Sequence, residues 1–470
     1  MNILLIYPSY VSFYSSKTIL PPLGLLSVAS ILEKNNHKVT LLDTNIHGLD
    51  FHNLSKKIKY FSPDLVGFSS TSLTIMETLE EIKVVKEVFP NVSIVVGGPH
   101  GTAWPEHILS SPYVDFVVRG EGELTFLELV EQLEKERAYE KILGLSYKKD
   151  GKIINNPPRP PIPNLDILPF PSYHLLEDID LYWAPRSRKK PLLTCITSRG
   201  CTQACNFCTV WLSSGKAACW RAHSPEYVVG LFEHLIDTFH VRDLVIQDDS
   251  FTADMNRAER ICDELIARGI HKKIVWQPFN GIRADHVSKS LLKKMKNAGC
   301  YHVAFGIESG NQDILNLAGK GETLESMRKA VTWSKEVGLE TSGSFILGLL
   351  GDDEHTMRDT INFAKSLPLD QVSFNTMIPL VGSVFYKIVE KEGKFLVSPT
   401  DPRYYADEPV FELRQCTREL LLKMKRDAYR EFYFRFSYIP RQLLHIRSFS
   451  DLSYYWSGLK LARAKTKMKT

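Results

Sequence analysis

Apolar runs and amphipathic helical patterns alternate along the first 140 residues. The apolar runs are short and rich in β-branched residues, and they lie at 2–7, 38–43, 65–69, 93–96 and 116–119. Continuous runs of this kind are typical of parallel strands that helices cover on both faces. The pattern therefore predicts a doubly wound (Rossmann-like) α/β domain over residues 1–140.

The alternation resumes near residue 191, after a stretch of different character. Residues 141–190 include seven prolines between Pro157 and Pro171, which predicts an extended connector. Six further strand-like runs follow at 192–197, 243–247, 273–277, 302–306, 341–347 and 371–377. Six consecutive strand–helix units predict a partial (β/α)6 barrel over residues 191–400, and a mainly helical extension follows over residues 401–470.

Small residues follow several strands of the first domain. Because ligands of an open parallel sheet bind beyond the carboxyl ends of its strands, we expect a ligand site there. Small side chains would let a bulky, flat ligand approach the backbone. The alternative is that the glycines only form tight turns. This explanation is good for any one loop, but it is weaker for several glycine-containing loops at the same edge of the sheet. The residues concerned are Ser69, Ser70, Thr71, Gly97, Gly98, Gly120 and Glu121.

The composition of the 470 residues excludes several classes of protein. The net charge is +4, so overall charge gives no indication of nucleic-acid binding. No apolar run approaches the ~18 residues of a membrane helix, and the N-terminus lacks the features of a secretory signal. Eight cysteines are too few for a disulfide framework. We therefore expect a cytoplasmic protein in a reducing compartment.

Three cysteines lie close together after the first strand of the second series. Cys201, Cys205 and Cys208 are spaced so that one loop can present three thiolates, which iron–sulfur clusters and zinc both prefer. A structural zinc site would need a further ligand, and Cys219 or His223 is near enough in sequence to supply it. Three ligands on a four-iron cluster would instead leave one iron free to bind a substrate. Active sites of β/α barrels lie at this end of the strands.

The CxxxCxxC spacing, with an aromatic residue before the last cysteine, resembles the signature of the radical S-adenosylmethionine superfamily. In that superfamily the cysteines hold a four-iron four-sulfur (4Fe-4S) cluster, and its remaining iron binds the amino and carboxylate groups of S-adenosylmethionine. The resemblance continues through segments 247–251, 305–310 and 343–348. It implies that S-adenosylmethionine contacts Phe207, Asp248, Asp249, Glu308 and Ser309. For the three acidic residues taken singly, a helix cap or a structural ion pair is the alternative.

The first domain resembles the cobalamin-binding domains that precede the radical domain in one class of this superfamily. The resemblance implies that cobalamin contacts Pro22, Gly24 and the strand-end residues named above. The histidine that binds cobalt in other cobalamin proteins has no counterpart, since Asn45 stands where it would be in the one segment of similar frame. His100 could reach a ligand at the sheet edge, but a solvated loop histidine is an equally good interpretation. A dinucleotide site is disfavoured because no Gly-x-Gly-x-x-Gly motif follows the first strand.

The two cofactors together imply an enzyme that cleaves S-adenosylmethionine and methylates an unactivated carbon. The resemblance also implies an electron donor such as flavodoxin or ferredoxin. A radical cyclisation or rearrangement without methyl transfer is the second hypothesis, because the class includes such enzymes. A non-catalytic binding module stabilised by a metal is the third. The substrate, a small molecule or a lipid-like one, cannot be read from the sequence.

The last 60 residues are basic and aromatic. Residues 411–470 carry fourteen lysines and arginines against five acidic residues. Such a segment suits peripheral contact with a membrane or an anionic lipid-like substrate. A helical cap with inward aromatics and solvated charges is the favoured interpretation.

Overall fold

The computed structural model describes residues 1–9, 18–47, 51–135, 138–184, 186–215, 218–405 and 408–436, together with Tyr438, Arg463 and Lys465. The chain divides into two compact units. The first comprises residues 1–202, 209–248 and 267–275, and the second comprises residues 203–208, 249–266 and 276–470.

The first unit begins with a seven-stranded sheet of order β2-β1-β3-β4-β5-β6-β7. The first five strands are parallel, and the last two are added antiparallel. The strands are β1 (Asn2–Tyr7), β2 (Lys38–Asp43), β3 (Leu65–Ser69), β4 (Ser93–Gly97), β5 (Phe116–Val118), β6 (Leu145–Lys149) and β7 (Lys152–Asn155). The strand order reverses between β1 and β3, and in sheets of this kind that is where ligands bind.

Helices cover both faces of this sheet, as the continuous apolar runs predict. Successive side chains of a strand point to opposite faces, so Leu5 of β1 enters one core and Ile6 the other. Both side chains are fully buried. The helices are α1 (Leu23–Lys34), α2 (Thr44–His47), α3 (Phe51–Ile58), α4 (Ile75–Val88), α5 (Pro99–Ala103), α6 (Pro105–Leu109) and α7 (Gly122–Glu134).

The sheet continues beyond the predicted end of the first domain at residue 140. Strands β6 and β7 lie within the stretch that the sequence assigns to the connector. They pair through Ser146 with Asn155 and through Tyr147 with Ile154. The polar lysines of this hairpin conceal the strand pattern, because edge strands commonly carry charged side chains.

The proline-rich connector packs against its neighbours within the first unit. Leu165 and Leu168 are buried, whereas Ile167 between them is 50% exposed. The Tyr173 hydroxyl donates to the Thr194 carbonyl oxygen at 2.7 Å. This hydrogen bond joins the connector to the strand that contains Thr194.

The second series of strands follows the predicted order. Strand β8 pairs in parallel with β11, and β13, β14 and β15 form a parallel three-stranded sheet. A short antiparallel hairpin, β9–β10, lies in the first unit. The strands are β8 (Leu192–Cys195), β9 (Ser198–Gly200), β10 (Trp220–Ala222), β11 (Asp243–Ile246), β12 (Val275–Pro278), β13 (His302–Glu308), β14 (Glu340–Leu347), β15 (Gln371–Thr376), β16 (Lys394–Phe395) and β17 (Phe411–Glu412).

Helices alternate with these strands. They are α8 (Val210–Ser214), α9 (Pro225–Phe239), α10 (Met255–Ala267), α11 (Lys289–Asn297), α12 (Gln312–Leu317), α13 (Leu324–Glu336), α14 (Glu354–Ser366), α15 (Val384–Glu392) and α16 (Arg418–Tyr433). Side-chain hydroxyls or carboxylates accept from the first free backbone amides of several of them, as in the capping box that Asp353 forms with Thr356 at the start of α14.

One face of the β13–β15 sheet is aromatic and the other is polar. Phe345 and Phe374 are fully buried on the aromatic face, where Phe374 also packs against Tyr429 of α16. Neighbouring positions of the strands point the other way. This polar face is defined by Gly306 and Ser344, which are paired in register, and by the exposed Asn375.

In the C-terminal extension, β17 is followed by a helix, α16, which Thr417 caps by accepting from the Leu420 amide. Most of the basic and aromatic tail beyond Phe436 lies outside the described residues, so the interpretation of that segment stays a prediction. In the part of the chain that is described, no helix has the length and apolar character needed to cross a bilayer.

Candidate active site

A tight hairpin leads into the cysteine loop. Gly200 ends β9 with φ +83°, and a Cβ at this position would lie 1.9 Å from the carbonyl oxygen of Cys219. Positive φ is unfavourable for other residues, and the second strand of the hairpin leaves no room for a side chain. The residue that precedes Cys201 must therefore be glycine.

The rest of the loop is held by hydrogen bonds within the second unit. The Asn206 backbone amide donates to the Ala318 carbonyl at 2.9 Å, and its side-chain Nδ2 donates to the Leu317 carbonyl at the same distance. The Asn206 carbonyl in turn accepts from the Phe385 amide. Asn206 is thus fixed between the end of α12 and the start of α15, while Phe207 packs into an apolar cluster beside it.

The three cysteines fit an iron–sulfur cluster by the chemistry of their side chains. Cys201, Cys205 and Cys208 are free thiols, each partly accessible, whereas four other cysteines of the chain are buried. Among the described residues, no three His, Cys, Asp or Glu side chains converge on a single metal ion. Thiolates that bind a four-iron cluster do not need to meet at one metal ion, because each thiolate binds a separate iron.

The zinc alternative loses one of its two proposed ligands. His223 is buried, with Nδ1 3.1 Å from Asp166 Oδ1, and its ring stacks on Tyr227 at a centroid distance of 3.8 Å. A histidine held in this way takes part in the packing of the connector against α9. It is therefore not presented to the cysteine loop.

Lys320 is a site residue that the sequence reasoning missed. Its Nζ lies 3.4 Å from Glu308 Oε1 and 3.2 Å from Glu322 Oε2, and its side chain is 11% exposed. Burial works to lower the pKa of Lys320, but Glu308, Glu322 and the nearby Cys205 raise it above its ordinary value. Lys320 therefore carries a positive charge beside the cysteine loop. Its position three residues after α12 gave no signal in the sequence.

Glu308 ends β13 in an unusual backbone conformation. Its φ is +64°, and a Cβ on Gly306 would lie only 2.6 Å from Glu308 Oε1. The side chain is therefore folded back over Gly306 at the polar face of the sheet. Burial raises the pKa of Glu308, and the charge of Lys320 offsets this only in part. Strained backbone at the end of a strand is typical of functional sites.

The two aspartates after β11 differ in their surroundings. Asp248 is buried, and its carboxylate accepts from the Thr197 amide, the Thr197 hydroxyl and the Ser198 hydroxyl at 2.5–2.6 Å. These bonds fix the turn between β8 and β9. Asp249 is exposed. Ser309, also predicted at the site, is fully buried and bonds the Thr360 hydroxyl at 3.1 Å.

The loops after β3 and β4 interlock at the carboxyl edge of the first sheet. Ser70 donates its amide to the Gly97 carbonyl at 2.9 Å and accepts from the His100 amide at 3.1 Å. Gly98 has φ +93°, and a Cβ there would lie 2.6 Å from the Ser70 carbonyl oxygen. This glycine is therefore required by the loops themselves. Thr71, by contrast, is only partly buried at the same edge.

Gly24, at the start of α1, lies at the same edge. It is exposed, and among the described residues no atom lies within 4 Å of a Cβ built on it. Pro22 precedes this helix and is buried. Gly97 also leaves ordinary clearance, because the nearest atom to its Cβ position is 3.8 Å away. Small or exposed positions of this kind leave room for a bulky flat ligand, and their contact with one stays a prediction.

His100 is not the solvated loop histidine that one interpretation proposed. It is 1% exposed, with Nδ1 2.9 Å from Ser72 Oγ and Nε2 2.9 Å from His107 Nδ1. Burial lowers the pKa of His100 to about 4, and the neighbouring His107 adds to the effect. Both ring nitrogens already have protein partners.

Two family models match the chain in the predicted order. The one described as a B12 binding domain matches residues 12–130, and the one described as the radical SAM superfamily matches residues 195–364. An uncharacterized methyltransferase of Pyrococcus horikoshii is 38% identical over 416 residues, which is 88% of each chain. The chain belongs to the cobalamin-dependent radical S-adenosylmethionine methyltransferase family.

Other relatives of this methyltransferase family member have names that describe other activities. The anaerobic magnesium-protoporphyrin IX monomethyl ester cyclase of Rubrivivax gelatinosus is 27% identical over 441 residues, 92% of this chain and 77% of the cyclase. The structure of the cobalamin-dependent radical enzyme OxsB with aqua-cobalamin and S-adenosylmethionine bound superposes with a TM-score of 0.77. It is 18% identical and covers 99% of this chain and 71% of OxsB, so the likeness concerns the fold.

The comparisons confirm four expectations for this methyltransferase family member. They are the family itself, the order of an α/β cobalamin-binding domain and a radical domain, the enzymatic class and the cofactors. The cofactors are a 4Fe-4S cluster, S-adenosylmethionine and cobalamin. The contacts of individual residues with these cofactors remain proposals.

Proposed function

We propose that this enzyme methylates an unactivated carbon of a small-molecule or lipid-like substrate. The observation that carries the proposal is the loop of three accessible thiols in a chain whose first domain presents an open ligand edge. When bound, the cluster supplies an electron that cleaves S-adenosylmethionine, and cobalamin supplies the methyl group. The name of the Pyrococcus relative supports methyl transfer.

The proposed cluster ligands are Cys201, Cys205 and Cys208. The loop that carries them has its own hydrogen bonds at Asn206, which fix its backbone between Cys205 and Cys208. Preorganised ligands lose less conformational entropy on binding. An electron donor of the flavodoxin or ferredoxin type would reduce the cluster.

The proposed contacts with S-adenosylmethionine involve complementary charges. The molecule carries a carboxylate and an ammonium group, and Lys320 and Glu308 offer one charge of each sign near Cys205. Asp249, which is exposed, is the better candidate of the aspartate pair for the ammonium group. Asp248 shapes the turn that enters the loop, since its carboxylate already accepts three hydrogen bonds from Thr197 and Ser198.

The proposed cobalamin contacts are the strand-end loops of the first domain and the start of α1. Gly24 and Gly97 leave space for the cofactor, and Ser69 and Thr71 offer hydroxyls at the same edge. We place this domain at residues 1–155, because β6 and β7 belong to its sheet. The proposed arrangement continues with the connector at 156–190, the radical domain at 191–400 and the extension at 401–470.

The polar face of β13–β15 favours a substrate with hydrogen-bonding groups. Asn375 Nδ2 reaches Ser344 Oγ at 3.5 Å, and both side chains keep accessible surface. Hydroxyl and amide groups in a cleft orient polar ligands. Within the proposed substrate class, the small molecule therefore has more support than the lipid. The lipid and the peripheral membrane contact depend on the basic tail, which lies largely outside the described residues.

Radical cyclisation without methyl transfer is the second candidate. The specific observation that favours it is the similarity to the Rubrivivax cyclase over 92% of this chain. Both candidate reactions need the same iron–sulfur cluster, so the cysteine loop does not distinguish between them. They differ in whether the methyl group of S-adenosylmethionine reaches the product.

Methyl-deuterated S-adenosylmethionine tests the proposal. The reconstituted enzyme, reduced and anaerobic, is incubated with a metabolite extract, and deuterium is sought in all products by mass spectrometry. We expect a labelled product together with S-adenosylhomocysteine and 5′-deoxyadenosine. A new unlabelled product with 5′-deoxyadenosine alone would favour cyclisation. The Cys205→Ser variant is the control, and label transfer by that variant would contradict the proposal.

A further inference from the structure

Two buried carboxylates follow β5: Glu121 in the loop before α7 and Glu123 in the first turn of α7. The Glu121 side chain is 8% exposed and that of Glu123 is 5% exposed. Glu121 Oε2 accepts from the Ile162 amide at 2.7 Å, and Glu123 Oε1 accepts from the Ser27 hydroxyl at 2.6 Å. For Glu121, a protein group therefore occupies an oxygen that the sequence analysis expected to contact cobalamin.

Two arginines of the β9–β10 hairpin reach these carboxylates. Arg199 Nη2 lies 2.6 Å from Glu123 Oε1, and Arg199 Nη1 lies 3.4 Å from Glu121 Oε1. Arg221 Nη2 lies 2.7 Å from Glu121 Oε1. These four residues are called the Glu–Arg cluster below. Its charges cancel, and all four side chains are at most 19% exposed.

The hairpin depends on this cluster. Arg199 and Arg221 are directly opposite each other in the register of β9 and β10. Like charges in that position repel each other. Glu121, which lies between them, removes the repulsion. Burial works against the ionised form of Glu123, but the adjacent guanidinium of Arg199 holds its pKa below the ordinary value, so it stays charged.

Both ends of the Glu–Arg cluster lead to cofactor loops. Arg199 is two residues before Cys201, and Gly200 between them has no freedom to move away from the hairpin. At the other end, the Gly120 amide donates to Thr102 Oγ1 at 2.9 Å, and that hydroxyl donates to the Gly98 carbonyl at 3.1 Å. A continuous chain of bonds thus runs from the loop after β4 to the first cysteine.

We propose that the Glu–Arg cluster is a positioning element. It fixes Cys201, the first proposed ligand of the iron–sulfur cluster, relative to the strand-end loops that are proposed to bind cobalamin. Glu121 and Glu123 act through Arg199 and Arg221 and make no contact with cobalamin themselves. The inference rests on the proposed function for its two cofactor sites. It revises that function at one point, because Glu121 was expected to be a cobalamin contact.

Pulsed dipolar EPR tests the proposal without requiring the substrate. The reconstituted enzyme is poised so that the cluster is reduced and the cobalamin is in the Co(II) state, and the distribution of distances between the two spins is measured. We expect a narrow distribution for the unmodified enzyme. Glu123→Gln keeps the size of the side chain and removes the charge, so it should broaden the distribution. Arg199→Lys keeps the charge but loses the second hydrogen bond, so a smaller broadening should follow.

A matched control separates positioning from general loss of stability. Lys335 and Asp370 form an ion pair of similar burial in the second unit, with Nζ 2.7 Å from Oδ1. Asp370→Asn should leave the distance distribution unchanged. If the distance distribution is unchanged in both Glu123→Gln and Arg199→Lys, the inference is wrong but the proposed function still stands. Absence of either spin signal from the unmodified enzyme would overturn the proposed function, and the inference with it.

Discussion

Among the single residues of the site, Gly200 has the least freedom to change. We expect Gly200→Ala to lose both stability and iron, because its Cβ would lie 1.9 Å from the Cys219 carbonyl oxygen. Gly215 is a matched control, since it also has positive φ (+63°) but no atom of the part of the chain that the structure describes lies within 4 Å of its Cβ position. Gly215→Ala should cost about 1 kcal/mol, the usual cost of left-handed backbone. Urea unfolding and iron analysis check both variants, and equal losses would contradict the steric explanation.

Substitution of the two adjacent aspartates should distinguish a structural role from a role in binding S-adenosylmethionine. Asp248→Asn replaces a carboxylate that accepts three hydrogen bonds, so we expect it to destabilise the protein by about 2 kcal/mol. Asp249→Asn changes an exposed side chain and should alter stability by less than about 0.5 kcal/mol. It should nevertheless weaken S-adenosylmethionine binding. Unfolding curves and a binding isotherm test the pair, and the opposite pattern would exchange the two roles.

The sequence could identify side chains whose chemistry depends on local spacing. The three cysteines are of this kind, because one loop contains them all. Lys320 and the hydrogen bonds of Asp248 could not be identified, since each depends on partners that the fold brings together. Lys320 meets Glu308 only because β13 and the turn after α12 are adjacent. The ion pair of Glu121 could not be predicted for the same reason, because Arg221 is 100 residues away in sequence.

Among the helices and strands, α4 contains an acidic residue whose protonation should affect the first unit. Glu81 is 1% exposed, and burial raises its pKa to about 7 despite hydrogen bonds from the Ser9 amide and the Thr44 hydroxyl. Its pKa in the unfolded chain is near 4.5. A carboxyl group whose folded pKa is raised contributes most stability below its unfolded pKa, and this contribution is lost as the pH rises through the folded pKa.

We therefore expect the first unit to lose about 3 kcal/mol of stability between pH 4.5 and 7 from this one group. Glu81→Gln should remove that loss, because the amide is neutral throughout. Urea unfolding of the apoprotein as a function of pH measures the effect. Glu80 is the control, since it lies on the same helix with 46% of its side chain exposed. A slope that Glu80→Gln flattens as much as Glu81→Gln would refute the assignment.

Regular elements were predictable where the hydrophobic pattern repeats. The five parallel strands of the first sheet and the later strands were found because their apolar runs are continuous. Strands β6 and β7 were missed, since Lys148, Lys149 and Lys152 interrupt the apolar pattern in a solvent-facing hairpin. The short β9–β10 hairpin was missed as well. Its two arginines form ion pairs in the Glu–Arg cluster, and an arrangement of this kind has no periodic signature in the sequence.

For the chain as a whole, the order of two cofactor-binding domains could be predicted from the sequence. The strand–helix alternation gives both fold classes, and the cysteine loop gives the chemistry of the second domain. The substrate could not be predicted, because the polar face of β13–β15, which we propose as its contact surface, combines single residues from separate strands. If the domains bind their cofactors through separate residues, it should be possible to remove one cofactor and retain the other.

Two variants test this separation. The triple variant Cys201→Ala, Cys205→Ala, Cys208→Ala should lose its iron and keep cobalamin, because the open edge of the first sheet is untouched. Gly24→Phe should lose cobalamin and keep iron, because its ring would occupy the space that now surrounds an exposed glycine. Gly24→Ala adds one methyl group to the same helix start and should retain both cofactors. Metal analysis and visible spectra of the reconstituted proteins measure the outcome. Loss of both cofactors from either substituted protein would mean that the two sites are assembled together, and the proposed assignment of Gly24 to cobalamin would then be wrong.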